Sequence, residues 1–262
     1  MHVTKMHGAR NDFLIVDGRN YLVENAASFA RWACDRRAGV GADGMIVLER
    51  SQTADVRMRT INADGSEAEM CGNGIRCAAR WLDENGEGDA IAFETDGGIV
   101  RTEVIAREPE YAVRVAMRRP KVGAIAIAVV PDATFVDVGN PHVVILRENA
   151  ESIDLERAAE ALKREPLLRG GVNVQAASLR GSNAVNVRHW ERGVGLTEAC
   201  GTGAVACAAV AVARRLARAP VELFVPGGRL VVDFDEDGTA YLTGPAARVF
   251  DTEVELGVRV LP

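Results

Sequence analysis

The sequence predicts an α/β protein built from two similar, duplicated domains, and three observations carry that expectation. The segment Cys71-Gly72-Asn73-Gly74 recurs as Cys200-Gly201-Thr202-Gly203, 129 residues further on. The same shift carries Asn11 onto Asn140 and lays the helix-like SFARWACDRR (28–37) over RAAEALKREP (157–166). A shift of 130 lays Gly97-Gly98 over Gly227-Gly228. Several features in one register, at half the chain length, point to duplication rather than chance.

Each half reads as strand, helix, strands, a Gly-rich turn into a second helix, then a hairpin. The apolar runs FLIVD (13–17) and VVIL (143–146) follow the paired asparagines as strands. The second helix starts at the C-G-x-G segment and is expected through Ile75–Leu82 in one half and Ala204–Leu216 in the other. Arg214, Arg215 and Arg218 close the later helix, where cations suit a helix C-terminus. The paired glycines are tight turns opening the alternating strands IVRTEV and RLVVDF. Residues 122–130 (VGAIAIAVV) read as a strand. The halves are expected over 1–118 and 119–247, divided near Arg118-Arg119-Pro120, with 248–262 rejoining the first half as an extra strand.

Composition narrows the function. The 262 residues carry 31 basic against 37 acidic side chains, a net charge of −6, which argues against a nucleic-acid or anionic-membrane partner. No apolar run approaches a membrane span. MHVTKMHGAR holds no apolar signal core, so a cytoplasmic location is expected. Only Lys5, Lys121 and Lys163 are lysines, which leaves few candidates for Schiff-base chemistry. Five cysteines without a C-x-x-C, and four histidines without an H-x-x-x-H pair, give neither a disulfide framework nor a metal-ligand pattern.

Cys71 and Cys200 each stand where the chain enters a helix. A helix N-terminus carries about half a positive charge, which lowers a thiol pKa and attracts a carboxylate. The glycines beside each sulfur let backbone N–H groups approach a ligand. Two such sulfurs flanking one small ligand suit inversion at a carbon α to a carboxylate. One thiolate takes the proton from one face and the other thiol supplies one to the opposite face. One sulfur is then ionised and one protonated at rest, because two nearby thiolates repel. Backbone donors stabilise the enediolate, so neither a metal nor another cofactor is required. Cys34, Cys77 and Cys207 are expected to fill the core.

Two motifs mislead. Gly39-Val40-Gly41-Ala42-Asp43-Gly44 fits G-x-G-x-x-G, but a helical stretch precedes it and the strand MIVLE follows, the reverse of a dinucleotide site. Gly201–Ala206 fits G-x-G-x-x-A and opens a helix, yet VNVRHW ends about ten residues earlier and no G-K-[ST] follows. No G-x-S-x-G elbow supports acyl transfer.

HGARNDFLIVD (7–17), INADGSEAEMCGNGIRCAAR (61–80), VGNPHVV (138–144), GVNV (171–174) and ERGVGLTEACGTGAVA (191–206) together resemble the diaminopimelate epimerases, in order and across nearly the whole chain. The resemblance implies two α/β domains, each a barrel-like mixed sheet around a central helix, with the active site in the interdomain cleft. It implies a homodimeric, cofactor-independent enzyme that interconverts LL- and meso-diaminopimelate on the route to lysine and peptidoglycan. Cys71 and Cys200 become the acid–base pair, with the amides of Gly72, Asn73, Gly201 and Thr202 on the reacting carboxylate. Asn11, Asn62, Asn140, Asn173, Glu191 and Arg192 match substrate-contacting positions, and His142 is a candidate orienting residue. Arg192 suits a distal carboxylate through a bidentate pair, and Glu191 suits an ammonium group. Four positions depart from the common pattern: Gly44 where some members have glutamine, Leu196 in place of a usual glutamate, and Leu168-Arg169 where Phe-Pro is common. A racemase of another amino acid on the same scaffold, and a non-catalytic amino-acid-binding homologue, are the alternatives.

Overall fold

The protein is described from a computed structural model that covers residues 1–20, 23–123 and 127–255. The chain divides into two units, Met1–Val115 with Gly244–Pro262, and Ala116–Thr243. In chain order the first unit contains β1 (His2–Gly8), β2 (Asn11–Asp17), α1 (Ala26–Ala33), β3 (Gly44–Glu49), β4 (Val56–Asn62), β5 (Glu67–Ala68), α2 (Gly72–Glu84), β6 (Ala90–Thr95), β7 (Gly98–Ala106) and β8 (Ala112–Ala116). The second contains β9 (Lys121–Val122), β10 (Ala133–Asp137), β11 (Pro141–Leu146), α3 (Leu155–Leu162), β12 (Asn173–Leu179), β13 (Ala184–Glu191), β14 (Gly195–Thr197), α4 (Gly201–Ala213), β15 (Val221–Val225), β16 (Gly228–Phe234) and β17 (Ala240–Pro245). Finally β18 (Ala247–Glu253) pairs antiparallel with β1.

The two units share one topology. In the first, β2 and β3 run parallel with α1 between them in sequence, and β4 and β6 run parallel with α2 between them. Antiparallel pairings supply the remaining neighbours. In the second, β11 and β12 are parallel around α3, and β13 and β15 are parallel around α4. The inner helices, α2 and α4, keep the 129-residue offset from end to end, as do the starts of the outer helices α1 and α3.

The strands beneath the outer helices, β2, β3, β11 and β12, are buried on both faces, which is why β2, β3 and β11 read as apolar runs. In β2, Leu14 and Val16 join Phe29, Ala30 and Ala33 of α1 in one core cluster. Phe13, pointing the other way, lies against Gly74 of α2. The outer helix α3 packs in the same manner on Val143, Ile145, Val174 and Ala176. Strands of its own sheet pack around each inner helix: α2 touches β1, β2, β3 and β7, and α4 touches seven strands from β9 to β16. That enclosure accounts for the composition of α4, GTGAVACAAVAVA, which has no charged side chain and no polar face. Cys34, Cys77 and Cys207 are buried, as expected of core filler.

The inner helix of the first unit encloses a cation instead. Arg76 is fully buried, and its guanidinium donates to Gly72 O (2.9 Å), Asn73 Oδ1 (2.9 Å) and Pro245 O (3.1 Å). Each of the three guanidinium nitrogens thus has an oxygen acceptor, the condition under which a buried charge is tolerated.

Three expectations need correction. The strand read over 122–130 is confined to Lys121–Val122 at its start, and residues 124–126 lie outside the described residues. Further along, the amides of Ala128 and Val129 donate to Glu165 Oε1 (2.9 and 3.1 Å), so a carboxylate takes the hydrogen bonds a neighbouring strand would have used. The outer helices end earlier than the apolar pattern suggests. α3 stops at Leu162 ahead of Pro166, which opens a 3₁₀ turn, and α1 stops at Ala33, with the Asp35 carboxylate then taking the amides of Arg37 and Ala38. α4 ends at Ala213 rather than Leu216, because Arg215 turns left-handed (φ 59°). Of the closing segment 248–262, residues 256–262 lie outside the described residues.

The duplicated cores differ beneath the inner helices. The second unit buries His142, Gln175 and His189 where the 129-residue shift places Phe13, Ile46 and Thr60 in the first. His142 Nδ1 lies 3.1 Å from Gln175 Oε1, whereas Gln175 Nε2 and both ring nitrogens of His189 have no partner among the described residues. Burial pushes His142 down to about 4, against an opposing contribution from Gln175, and pushes His189 down to about 3.

Both rings are therefore neutral in the fold but charge near pH 6.5 when the chain unfolds, so their contribution to stability is complete above pH 6.5. It is lost as the pH falls toward 4 and 3, at on the order of 1 kcal/mol per histidine per pH unit. Urea titrations between pH 7 and pH 4.5 should show this acid loss, and His189→Leu should reduce its slope by about half, the share of one of the two rings.

Candidate active site

In the first unit the site starts from a hairpin. Ala9 and Arg10 both adopt left-handed backbone (φ 52° and 66°), the geometry of a two-residue turn, and this sets Asn11 at the start of β2 opposite Gly8. Cys71 is the N-cap of α2, with extended backbone (φ −131°, ψ 113°), and its sulfur accepts the Gly74 amide at 3.4 Å. Glycine at 74 lets the helix press on β3, since a Cβ there would stand 2.7 Å from Ile46 Cδ1 and the isoleucine would have to shift. Asn11 Oδ1 lies 3.8 Å from Cys71 Sγ and accepts from Asn73 Nδ2 at 3.1 Å. The structure thus brings Asn11, Cys71, Gly72 and Asn73 together at one helix end.

Asn62 is placed otherwise. It ends β4, is exposed, and staples the following turn, its amide donating to Ser66 O (2.8 Å) and its side chain to Ser66 Oγ (2.9 Å). Its ladder partner is Gly44, where a Cβ would meet Ile61 O at 2.8 Å.

Cys200 is the N-cap of α4 with nearly the same backbone as Cys71 (φ −128°, ψ 114°). Thr202 Oγ1 lies 3.5 Å from its sulfur and accepts from Asn140 Nδ2 at 3.5 Å. His142, fully buried on β11, sets Nε2 3.0 Å from Asn140 Oδ1 and Nδ1 3.1 Å from Gln175 Oε1; a neutral ring carries one N–H, and the Nε2–H tautomer spends it on the asparagine carbonyl. Gly203 leaves no room for a side chain, because its Cβ would stand 2.9 Å from Gln175 Nε2 and His189 Nδ1. Asn173 Nδ2 donates to Pro141 O (3.0 Å) and its Oδ1 accepts the Arg192 amide (3.0 Å). Glu191 accepts from Thr197 Oγ1 at 2.6 Å. The Arg192 guanidinium is exposed and has no acidic partner among the described residues. Leu196, one of the departures from the common pattern, is exposed on β14, whereas Leu168 is buried.

The surroundings of Cys200 act against the helix end. Burial pushes the Cys200 thiol well above its ordinary value, and the neighbouring Glu191 carboxylate adds to the rise. The Thr202 hydroxyl and Gly203 amide pull the other way and are outweighed. The helix end alone therefore does not ionise this sulfur.

Sequence reasoning read Asp43 only as part of a loop. The structure puts its Oδ2 2.8 Å from Asn11 Nδ2. The repeat contained a pointer to it: Gly44 aligns with Asn173 under the 129-residue shift, so the segment just before β3 borders the site. Among the described residues, no three His, Cys, Asp or Glu side chains gather as a metal site, and no helix is long and apolar enough to cross a membrane.

Comparison with known proteins places the chain. A family model for diaminopimelate epimerase matches residues 3–122 and 134–249. The diaminopimelate epimerase of Sphingopyxis alaskensis is 40% identical over 263 residues, covering 96% of both chains. That of Archaeoglobus fulgidus is 40% identical over 267 residues, covering 95% of this chain and 94% of its own. Among solved structures, a PhzF-family phenazine biosynthesis protein from Bacillus anthracis superposes with a TM-score of 0.79 at 18% identity, covering 98% of this chain and 99% of its own. A probable proline racemase from Agrobacterium radiobacter gives 0.72 at 16% identity, with 97% and 93% covered, so these two share the fold. With both halves matched by one family model, and relatives this similar along nearly their whole length, the chain belongs to the diaminopimelate epimerase family.

Proposed function

We propose that this protein is an isomerase that interconverts LL- and meso-diaminopimelate, with Cys71 and Cys200 as its acid–base pair. The observation that carries the reading is the matched placement of the two sulfurs, each the N-cap of a buried inner helix with the same backbone conformation. The thiolate of one cysteine takes the α-proton and becomes a thiol. The electron pair left on carbon spreads into the carboxylate as an enediolate. The thiol of the other cysteine gives its proton to the opposite face and becomes a thiolate. The product has the inverted centre, and the two sulfurs have exchanged protonation states.

Residues around the sulfurs fit their parts. The amides at the starts of α2 and α4, from Gly72, Asn73, Gly201 and Thr202, are donors suited to the reacting carboxylate and to the charge that grows on it. The raised pKa of Cys200 fits the protonated member of the resting pair. Neutral His142 fits an orienting part rather than a proton-transfer one, because it holds Asn140 by its carbonyl. Arg192, whose guanidinium is exposed and has no acidic partner among the described residues, suits the distal carboxylate, and Glu191 suits an ammonium group. Asn11, Asn140 and Asn173 suit the polar lining, while Asn62, exposed at the end of β4, keeps its turn-stapling contacts with Ser66. A homodimeric, cytoplasmic enzyme without nucleic-acid partners belongs to the same proposal, supported by the family and by the net charge of −6.

Incubating LL-diaminopimelate with the protein in deuterium oxide tests the reading. Proton NMR should show the α-hydrogen replaced by deuterium as the meso isomer forms, and a protein that only binds the amino acid leaves the α-hydrogen in place. Cys71→Ser and Cys200→Ser should each lower turnover by about 10³-fold, the range lost with a general acid or base. Arg192→Ala should raise KM by about a hundredfold with a smaller change in kcat, as expected for losing a charge-assisted pair at the unreacting end.

A further inference from the structure

Asn11 and Asn140 occupy the same position in the repeat, yet their side-chain amides face opposite ways. Asn140 is held by its carbonyl, toward His142, and turns its NH₂ to Thr202. Asn11 is held by its NH₂, toward Asp43, and turns its carbonyl to Asn73 and Cys71. The cause lies in the partner. An ionised carboxylate can only accept hydrogen bonds, so a reversed Asn11 amide would press one oxygen on another.

Asp43 is itself tightly fixed. Its Oδ2 also accepts the Asp12 amide (3.2 Å), and its Oδ1 accepts from Arg36 (2.7 Å). Arg36 forms a two-pronged pair with Asp12 (3.0 and 2.7 Å), and Lys5 reaches Asp12 (2.8 Å) and the Gly41 carbonyl. Burial alone would raise the Asp12 pKa, but Arg36 and Lys5 more than offset it and hold the carboxyl well below its usual range. At the other end of the chain of contacts, buried Arg76 holds Asn73 by its Oδ1. Two amides are thus suspended between fixed charges, and both point their ends by necessity.

We propose that Asp43 is a positioning residue that acts on Cys71 through Asn11. Holding the Asn11 carbonyl toward the sulfur withholds an N–H donor from the thiolate, which keeps it a stronger base, and provides an acceptor for the S–H once the proton is taken. The second half has Val172 at the equivalent of Asp43, and His142 gives its asparagine the opposite setting. The proposal rests on Cys71 being one of the acid–base pair.

A double-mutant cycle with Asp43→Ala and Asn11→Ala tests it, read by turnover and by the pH profile of iodoacetamide alkylation at the Cys71 peptide. Charged groups around Cys71 other than Asp43, namely Asp12, Lys5, Arg36 and Arg76, stay constant through the cycle. Freed of Asp43, Asn11 keeps only the Asn73 N–H on its carbonyl, so its amide is no longer fixed in one sense and its NH₂ gains access to the sulfur; in Asp43→Ala the alkylation midpoint should fall by about half a pH unit and turnover by about tenfold. In the Asn11→Ala background, removing Asp43 should change neither reading, because contacts that act in series do not add. Asp43→Ser, too short to reach Asn11, should reproduce the pattern. Effects that multiply in the double variant, or an alkylation midpoint unmoved by either substitution of Asp43, would overturn the proposal. A wild-type protein that leaves the α-hydrogen unexchanged overturns the assigned reaction instead, and the alkylation cycle still decides the role of Asp43.

Discussion

Enclosing a whole helix within its own sheet imposes the constraint from which the rest of each unit follows. The flanks of α2 up to its last turn, and of α4, must be apolar or internally paired, because they are buried. The N-terminal amides have no carbonyl one turn earlier to bond, so they must be capped or left to a ligand. A cysteine at the cap, followed by glycines that let strands press against the helix, meets both demands. It places a sulfur, a set of amide donors and a tightly packed floor at one point. That Gly74 and Gly203 both lie within contact of the underlying strands shows how closely the floor is drawn up.

Duplication supplied two copies of that arrangement, and the copies have since separated chemically without separating in backbone. The first half rests its inner helix on Phe13 and Ile46; the second rests it on His142 and Gln175. The first turns its asparagine with a carboxylate and the second with an imidazole. Inversion of a carbon needs a proton taken on one side and given on the other, so a pair of identical half-sites is not what the chemistry asks for. Equivalent main chains with unlike polar neighbours give each sulfur its own surroundings.

Much of this was legible in the sequence, for physical reasons. The repeat showed because C-G-x-G answers a local demand, the cap and close approach, that tolerates few substitutions. The double-sided strands showed because burial on both faces leaves an unbroken apolar run such as FLIVD. What stayed hidden depended on contacts distant in sequence. Glu165 taking the amides of Ala128 and Val129 leaves no local trace, so VGAIAIAVV reads as a strand. The turn-stapling role of Asn62 was visible in Asn62-Ala63-Asp64-Gly65, but the link from Asp43 to Asn11 spans 32 residues and two loops. Which sulfur stays protonated was not legible, because a helix-end effect can be read from position, whereas the burial of Cys200 beside Glu191 cannot.

The pairing of β18 with β1 also bears on how the chain is made. The amino-terminal half emerges from the ribosome first, yet one edge of its sheet is completed only by residues near the other terminus. The later-synthesised half, uninterrupted in sequence, can close as soon as its own strands are out. The order of completion is therefore the reverse of the order of synthesis, and until β18 arrives the nascent β1 presents an unpaired edge of the kind chaperones shield.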